Sequence, residues 1–433
     1  MVNEEWSSFI HMSDIHFRLY SGDPYDLDNP LRKAMINDLK YCASNHLKNI
    51  KGILVCGDLA YSGKDEEFQI ANKFLVEVAE VLGCSLKNVF CVAGNHDVDQ
   101  SVIRNSYIIE TLQGELNKVD CENPDNLDNV LRKIQKDPHI EGLLYAPIEN
   151  YNKFADSLLS SYTVKNQNWA REIKLDDKYT LKLWGMNSVF TSNHKDHQDD
   201  NGNRLSDGEE RKMIINYSQI PTPANNVIYM TLCHHPVSCW NNKQLGEMMD
   251  GRVKLQLYGH KHIQNIDADN RRIRINTGAL HPERGKDWIP MYNWISLSVK
   301  ENKLIVRIYP RIYDNANGIF CKDKESCNAD KEYIEFELSL DNFTSNHSIE
   351  EKSNVRKITL VSKEIAYRYY TLSESDLDNI ARQFNQIDFT ANIDELLQQL
   401  QQMQIENKYL AKIKSFEKED LYEREYCKMV LKW

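Results

Sequence analysis

The apolar positions of the chain follow two rhythms. In the first third, short apolar runs alternate with stretches where apolar residues recur every three or four positions. Phe9 to Met12, Ile53 to Cys56 and Val89 to Ala93 are the runs. Between them, Leu31, Met35, Leu39 and Cys42 line one helix face. Phe68, Ala71, Leu75, Val78, Ala79 and Leu82 line a second, with Asp65 as its expected N-cap. Strands alternating with helices predict βαβ units and parallel pairing.

The rhythm breaks at about 101–175, which is polar, partly helical and poor in strand signals, as an insertion would be. Strand-like runs resume at Leu181–Met186, Val227–Cys233 and Val253–Tyr258, with a very polar loop at about 191–210. From about 263 to 340 the segments become short and alternating: Ile273 to Ile275, Trp294 to Val299, Leu304 to Tyr309 and Tyr333 to Leu338. That pattern predicts a second, more antiparallel sheet. Further on, Ser373 and Asp376 form a capping-box pattern. Leu377, Ile380, Ala381 and Phe384 follow at helical spacing, then Ile393, Leu396, Leu397 and Leu400. The expected organisation is a domain over 1–345, with its insertion at about 101–175, and a C-terminal helical module over 346–433.

Composition narrows this picture. The 433 residues can bury a full core without disulfide or metal staples. A net charge of −11 argues against a general binder of nucleic-acid backbone, though not against a local patch. The start MVNEEWSSFI has no basic n-region or long apolar stretch, and no apolar run of about 18 residues follows. The expectation is a cytoplasmic protein without a membrane span. The ten cysteines are scattered without a CxxC pair, which fits reduced thiols.

The informative residues sit directly after the apolar runs. They are Asp14-Ile15-His16, Gly57-Asp58, Gly94-Asn95-His96-Asp97, His234-His235-Pro236 and Gly259-His260-Lys261-His262. In open α/β sheets ligands bind outside the carboxyl ends of the strands. Five strand ends would therefore deliver carboxylates, an amide and several imidazoles to one edge. Imidazole with carboxylate and amide oxygen suits Mn²⁺, Zn²⁺ or Fe, and no thiolate stands among them to make a structural zinc site. Seven such donors exceed the need of one ion. They suit two, about 3.5–4 Å apart, which together activate water and clamp the oxygens of an in-line displacement, as phosphoester hydrolysis requires.

DxH, GD, GNHD, H and GHxH in this order resemble the calcineurin-like metallophosphoesterases over about residues 8–310. The pattern is most similar to the bacterial class III cyclic nucleotide phosphodiesterases and their larger relatives. The resemblance implies a four-layer α/β/β/α sandwich, here with an inserted helical cap and a C-terminal helical domain. It implies that Asp14, His16 and His262 hold one divalent ion and Asn95, His234 and His260 the other, with Asp58 bridging; manganese is the expected metal, zinc or iron the alternatives. The HHP step leaves His234 and His235 both available; family motifs of the form H-x-P place the ligand first, at His234. A metal-bridging hydroxide would attack phosphorus. His96 would serve the leaving oxygen as proton donor or charge stabiliser, with Asp97 orienting it. The substrate implied is a phosphodiester of a nucleotide, cyclic or small, or of a nucleic acid. Alternatives are a nuclease-type effector gated by 346–433, through a protein partner or self-association, and a non-catalytic scaffold of the same fold.

Departures from related patterns narrow the subclass. Gly57-Asp58-Leu59-Ala60-Tyr61-Ser62-Gly63 lacks the Asp and Arg of the phosphoprotein phosphatases' GDxxDRG. Tyr61 falls where purple acid phosphatases place a tyrosine ligand, but those lack the histidine supplied here by His16, so Tyr61 is read as packing. The DNA-repair exonuclease branch usually has GDLFD at this motif. Other residues receive plainer readings. His11, His46 and His139 are taken as surface or satisfied core residues, residues 194–200 as a solvated loop near the rim, and Arg18 and Arg204 as surface charges. His281 and Asn187 sit in turns that could approach the site.

Overall fold

The computed structural model describes residues 6–20, 26–121, 123–163, 166–196, 211–281, 289–327 and 330–340. The first part runs β1 (Ser7–Met12), α1 (Asn29–Asn45), β2 (Ile50–Val55), α2 (Asp65–Leu82) and β3 (Val89–Cys91). Helices follow: α3 (Gln100–Arg104), α4 (Tyr107–Asn117), α5 (Pro124–Gln135), α6 (Pro138–Tyr145) and α7 (Glu149–Asp156). Then come β4 (Asn168–Lys174), β5 (Thr180–Met186), β6 (Val227–Cys233), α8 (Lys243–Arg252), β7 (Leu255–Tyr258), β8 (Asn265–Ala268) and β9 (Ile273–Asn276). The described chain finishes with β10 (Met291–Lys300), β11 (Lys303–Asp314), β12 (Ile319–Lys322) and β13 (Ile334–Ser339).

Two mixed sheets result. The first has the order β12-β11-β10-β1-β2-β3, with β13 pairing the opening half of β11. The second has the order β4-β5-β6-β7-β9-β8. Alternation along β6 separates their faces. Met230 and Leu232 join one core with Phe9, Ile53 and Val55 of the first sheet, whereas Tyr229 and Cys233 pack with Leu245 and Met249 of α8. On the far side of the first sheet, Asp38 of α1 receives two guanidinium N–H bonds from Arg311 of β11 and the hydroxyl of Tyr292 from β10. At the rim between sheets, Trp169 of β4 stacks on Phe90 of β3 at 6.1 Å and donates Nε1–H to the Cys91 carbonyl at 2.9 Å. The layers are thus helix, sheet, sheet, helix, the α/β/β/α arrangement expected.

Three expectations are corrected. The antiparallel strands after residue 290 do not form the second sheet; β10 pairs antiparallel with β1 and extends the first one. The second sheet is instead built from 168–276, where β9 lies parallel to β7. Partners far apart in sequence, such as β1 and β10, leave no local signature, which is why the alternating pattern misled. The helical insertion is shorter than 101–175, because residues 168–174 are the edge strand β4. Asp65 is the first residue of α2 rather than its cap; Lys64 stands at the N-cap, and Glu67 turns back to accept from the backbone N–H of Lys64 at 3.2 Å and Ser62 at 2.9 Å. The C-terminal module, His197 to Asp200 and Arg204 lie outside the described residues.

Candidate metal centre

The strands β1, β2, β3, β6 and β7 all end on one edge, where their following loops meet. The loops after β1 and β2 continue to pair beyond the strands. Asp14 N–H donates to the Gly57 carbonyl at 3.1 Å, Phe17 N–H to Leu59 at 2.8 Å and Tyr61 N–H to Phe17 at 3.0 Å. The backbone is unusual here. Of the ten non-glycine residues with positive φ among the described residues, five are Asp14, His16, Asp58, His260 and His262. Asp and His tolerate that left-handed region better than most residues, yet it carries strain that surrounding structure must hold.

Glycines bring the backbone close enough. A Cβ at Gly94 would lie 2.1 Å from Asp58 Oδ1, and one at Gly57 would lie 2.6 Å from His234 Nδ1. A Cβ at Gly259 would lie 2.0 Å from Ser13 Oγ, 2.6 Å from the Cys56 carbonyl oxygen and 2.9 Å from Asp14 Oδ2. The glycine of each GD, GNHD and GHxH motif is therefore a steric requirement of the site.

Asp14 and Asp58 are buried within a ring of imidazoles. His262 Nε2 lies 3.1 Å from Asp14 Oδ1, and His260 N–H donates to Asp14 Oδ2 at 3.1 Å. His234 Nε2 lies 3.3 Å from Asp58 Oδ2, and His16 Nε2 lies 4.0 Å from the same oxygen. Asn95 Oδ1 faces His234 Nε2 at 2.9 Å and His260 Nδ1 at 3.0 Å. The potential ligand atoms of Asp14, His16 and His262 all lie within 4.8 Å of one another, as do those of His234, His235 and His260 and those of Asp14, Asp58 and His234.

Tautomers follow from the outer contacts. His234 Nδ1–H donates to the Cys56 carbonyl at 2.8 Å, which leaves Nε2 facing the carboxylate and Asn95. His235 instead engages Ser188 Oγ through Nδ1 at 2.8 Å, with its ring 4.4 Å from that of His260. Of the two histidines of the HHP step, His234 is the one that faces Asp58, while His235 lies with His234 and His260 in another group able to hold a metal ion.

The electrostatics express a demand for positive charge. Burial opposes ionisation of Asp58, yet the charges of His234 and His96 hold its carboxyl well below the usual range. Burial likewise opposes protonation of His234, but Asp58 reverses the balance and raises the imidazole to about 9. Burial lowers His16 to about 3, so its ring is neutral at neutral pH and one nitrogen keeps a free lone pair, as a ligand's must. Two buried carboxylates, an amide oxygen and neutral or cation-replaceable imidazoles fit divalent ions of the Mn²⁺, Zn²⁺ or Fe type.

His96 stands at the mouth. Its backbone N–H donates to Asp58 Oδ1 at 2.8 Å, and its Nδ1–H donates to the Tyr61 carbonyl at 2.8 Å. Nε2 is therefore the atom left for chemistry. The expectation that Asp97 orients His96 is corrected. The Asp97 carboxylate is fully buried and accepts from Ala60 N–H at 2.8 Å and Gly94 N–H at 2.9 Å. Burial, with the charge of Asp58, pushes its carboxyl up to about 8 against those two donors. It ties the GNHD turn to the GD loop, and the orienting acceptor is a main-chain carbonyl that no side-chain pattern could reveal.

Other residues also depart from their simple readings. Tyr61 is 40% exposed, with Arg18 over its ring at 3.9 Å, so it is a rim residue. His281 is buried behind Asp14; its backbone N–H donates to the Asp14 carbonyl at 3.1 Å and its ring to that of Ile15. Asn187 is buried and bonded to Gln219 and Val189. His11 is fully buried with neither ring nitrogen bonded within the protein, and burial lowers it to about 3. The start of the 194–200 loop leans on α4, where Lys195 pairs with Glu110 and Asn193 donates to Gln113 at 2.9 Å. Among the described residues, no helix is long and apolar enough to cross a membrane.

Comparison with known proteins gives the wider setting. An uncharacterized metallophosphoesterase-like protein, YydB of Bacillus subtilis (strain 168), is 22% identical over 281 residues, covering 63% of this chain and 53% of that one. The chain thus spans about half the length of that curated relative. Among solved structures, Vacuolar Protein Sorting 29 of Cryptosporidium parvum is 12% identical, covering 78% of this chain and 100% of that one, with a TM-score of 0.31. A putative 5′-nucleotidase of Staphylococcus aureus is 13% identical, covering 81% of this chain and 57% of that one, with a TM-score of 0.32. The family model for calcineurin-like phosphoesterases matches residues 7–264, a stretch that runs from β1 through all five motif loops. That match covers more than half of the 433 residues, and the chain belongs to the calcineurin-like phosphoesterase family.

Proposed function

We propose that the protein is a metal-dependent phosphodiesterase acting on a nucleotide, cyclic or small, or on a nucleic-acid strand. The observation that supports it most is the convergence of a complete donor set on one edge. Asp14, His16 and His262 form one candidate triad; Asn95, His234 and His260 face a second position; Asp58 lies between them. A scaffold that had abandoned chemistry has no need to keep seven donors and three enforced glycines. Two divalent ions, manganese by preference, would supply positive charge to the phosphoryl oxygens and an activated water.

The chain's own residues do the rest. Asp14 and Asp58 fix the charge, and Cys56 and Tyr61 carbonyls fix the tautomers of His234 and His96. His96 Nε2 is placed to give a proton or positive charge to the leaving oxygen. The preference for diesters is carried over from the motif resemblance, and a cytoplasmic setting from the scattered cysteines. From the sequence pattern, the 346–433 stretch is proposed as a helical module for a protein partner or self-association.

The test compares bis-p-nitrophenyl phosphate with p-nitrophenyl phosphate in Mn²⁺, with Asp58→Asn as the blank. Diester turnover that Asp58→Asn lacks supports the reading. Monoester preference replaces it with a phosphomonoesterase, and turnover retained in Asp58→Asn refutes the assignment of the centre.

A further inference from the structure

Beside the metal centre the structure holds an aromatic and guanidinium pair that the proposed chemistry does not use. Arg18 lies two residues beyond His16, and Tyr61 three residues beyond Asp58. The Arg18 guanidinium carbon sits 3.9 Å above the centre of the Tyr61 ring, and Arg18 Nη1–H donates to the Tyr20 hydroxyl at 3.0 Å. The Tyr61 ring is 5.5 Å from that of His96 and 6.2 Å from that of His16. The pair is therefore adjacent to the histidine assigned to the leaving group.

The pair is held firmly. Phe17 and Ala60 form a parallel bridge that carries the pairing of β1 and β2 past the ligands. Ala60 N–H is bonded to Asp97, Tyr61 N–H to the Phe17 carbonyl and Ser62 N–H to Glu67 at 2.9 Å. Gly63, at φ +69, closes the loop where a Cβ would lie 2.6 Å from the backbone of Asp99. These bonds fix backbone that also presents Asp58 and His96, so ring and metal centre move as one body.

What the pair offers is also distinctive. Tyr61 is 40% exposed and Tyr20 45%, and Leu19, next in sequence to Arg18, is 64% exposed. A tyrosine ring half open to water, with a planar cation on it, is poorly explained by packing. Flat, electron-rich rings stack on tyrosine and on guanidinium planes alike. We propose that Arg18 and Tyr61 form a stacking platform for the nucleobase on the leaving side of the substrate, beside His96. The platform sets substrate class as a nucleoside phosphoester, and it rests on the phosphodiesterase reading only for the identity of the reaction. Tyr61 and Arg18 are positioning residues; neither supplies a proton or charge to phosphorus.

The test is a binding measurement on the full chain with Mn²⁺. The probes are the hydrolysis-resistant 5′-phosphonate of adenosine and the same sugar phosphonate without its base. In the wild type the base raises affinity about tenfold. Tyr61→Phe keeps that gain, Tyr61→Ala abolishes it, and Arg18→Ala loses part of it, while the base-free probe binds all four proteins alike. Equal affinity of the two probes for the wild type overturns the platform. So does a Tyr61→Ala protein that weakens both probes to the same degree, since that marks a structural role. A chain that discriminates the base yet hydrolyses no diester refutes the phosphodiesterase reading and upholds the platform. A diesterase blind to the base does the reverse.

Discussion

Replacing Gly259 by alanine adds one methyl group where the structure has no room for it. The new carbon would sit 2.0 Å from Ser13 Oγ and 2.6 Å from the Cys56 carbonyl oxygen. Ser13 could rotate away, but only by giving up its 2.8 Å bond to that carbonyl. The carbonyl is main chain and cannot rotate. It is also the acceptor for His234 Nδ1–H at 2.8 Å, while Gly259 N–H itself donates to the His234 carbonyl at 3.1 Å. Relief of the clash therefore swings His234 and presses on Asp14 together, one donor from each candidate metal position. Overpacking of this kind costs about 1–3 kcal/mol of stability. Disturbing the partners that orient metal ligands lowers affinity by about 10–100-fold, or about 1.4–2.8 kcal/mol. Gly251, near the end of α8, is the matched control: nothing lies within 4 Å of its Cβ position, and alanine there should stabilise by about 0.4–1 kcal/mol. Calorimetric titration with Mn²⁺ and thermal melts of both variants decide the matter. If Gly259→Ala binds Mn²⁺ as the wild type does, the steric account of the motif glycine is wrong.

Three further outcomes follow from the same geometry. His96→Ala should lower turnover by about 10²–10⁴-fold without loss of bound metal, because the backbone N–H that serves Asp58 remains; metal analysis of the purified variant checks it, and a depleted centre would count against the assigned role. Raising free Mn²⁺ to about 100 times its dissociation constant should stabilise the wild type by about 2.7 kcal/mol for each site filled, while Asp58→Asn should gain far less; equal gains in urea unfolding would place the ions elsewhere. Arg311→Met leaves the buried Asp38 carboxylate with only Tyr292 and Cys42, and should cost about 3–5 kcal/mol, part of it regained by Asp38→Leu in the same chain; a loss under about 0.5 kcal/mol in the single variant would refute the pairing argument.

Much of the centre was legible because its chemistry is written locally. Each donor follows an apolar run by one to five residues, so a strand-end argument alone collects Asp14, Asp58, Asn95, His234 and His260 on one edge. What stayed hidden depends on contacts without a local pattern. The carbonyls of Cys56 and Tyr61 set two histidine tautomers, yet any residue carries a carbonyl. Asp97 looked like a catalytic partner because it adjoins His96, but adjacent residues in a tight turn point apart, and its oxygens found backbone donors instead. The glycines offered the signal that could have been used further. Gly57, Gly94 and Gly259 each precede a donor, and close approach of main chain to ligand is the usual reason for glycine there. The failure over 263–340 has the same root. Alternation predicts that a strand exists and which face is buried, but not which distant strand receives it.

The seam between β1 and β10 has a consequence for how the molecule comes into being. Ser7 pairs with Leu297 and His11 with Asn293, so the middle strand of the first sheet waits for a partner almost three hundred residues downstream. On the ribosome, β1 and β2 emerge early with one flank bare, and an open flank of apolar backbone invites pairing between copies. The stretch that carries the family's motifs ends at residue 264, before β9 has covered β7 and before β10 has covered β1. Expressed by itself, it would hold every candidate metal donor and leave both sheets with raw borders, prone to aggregate rather than fold. The strands after residue 264 are what cover the open edges of the sheets that carry the motifs.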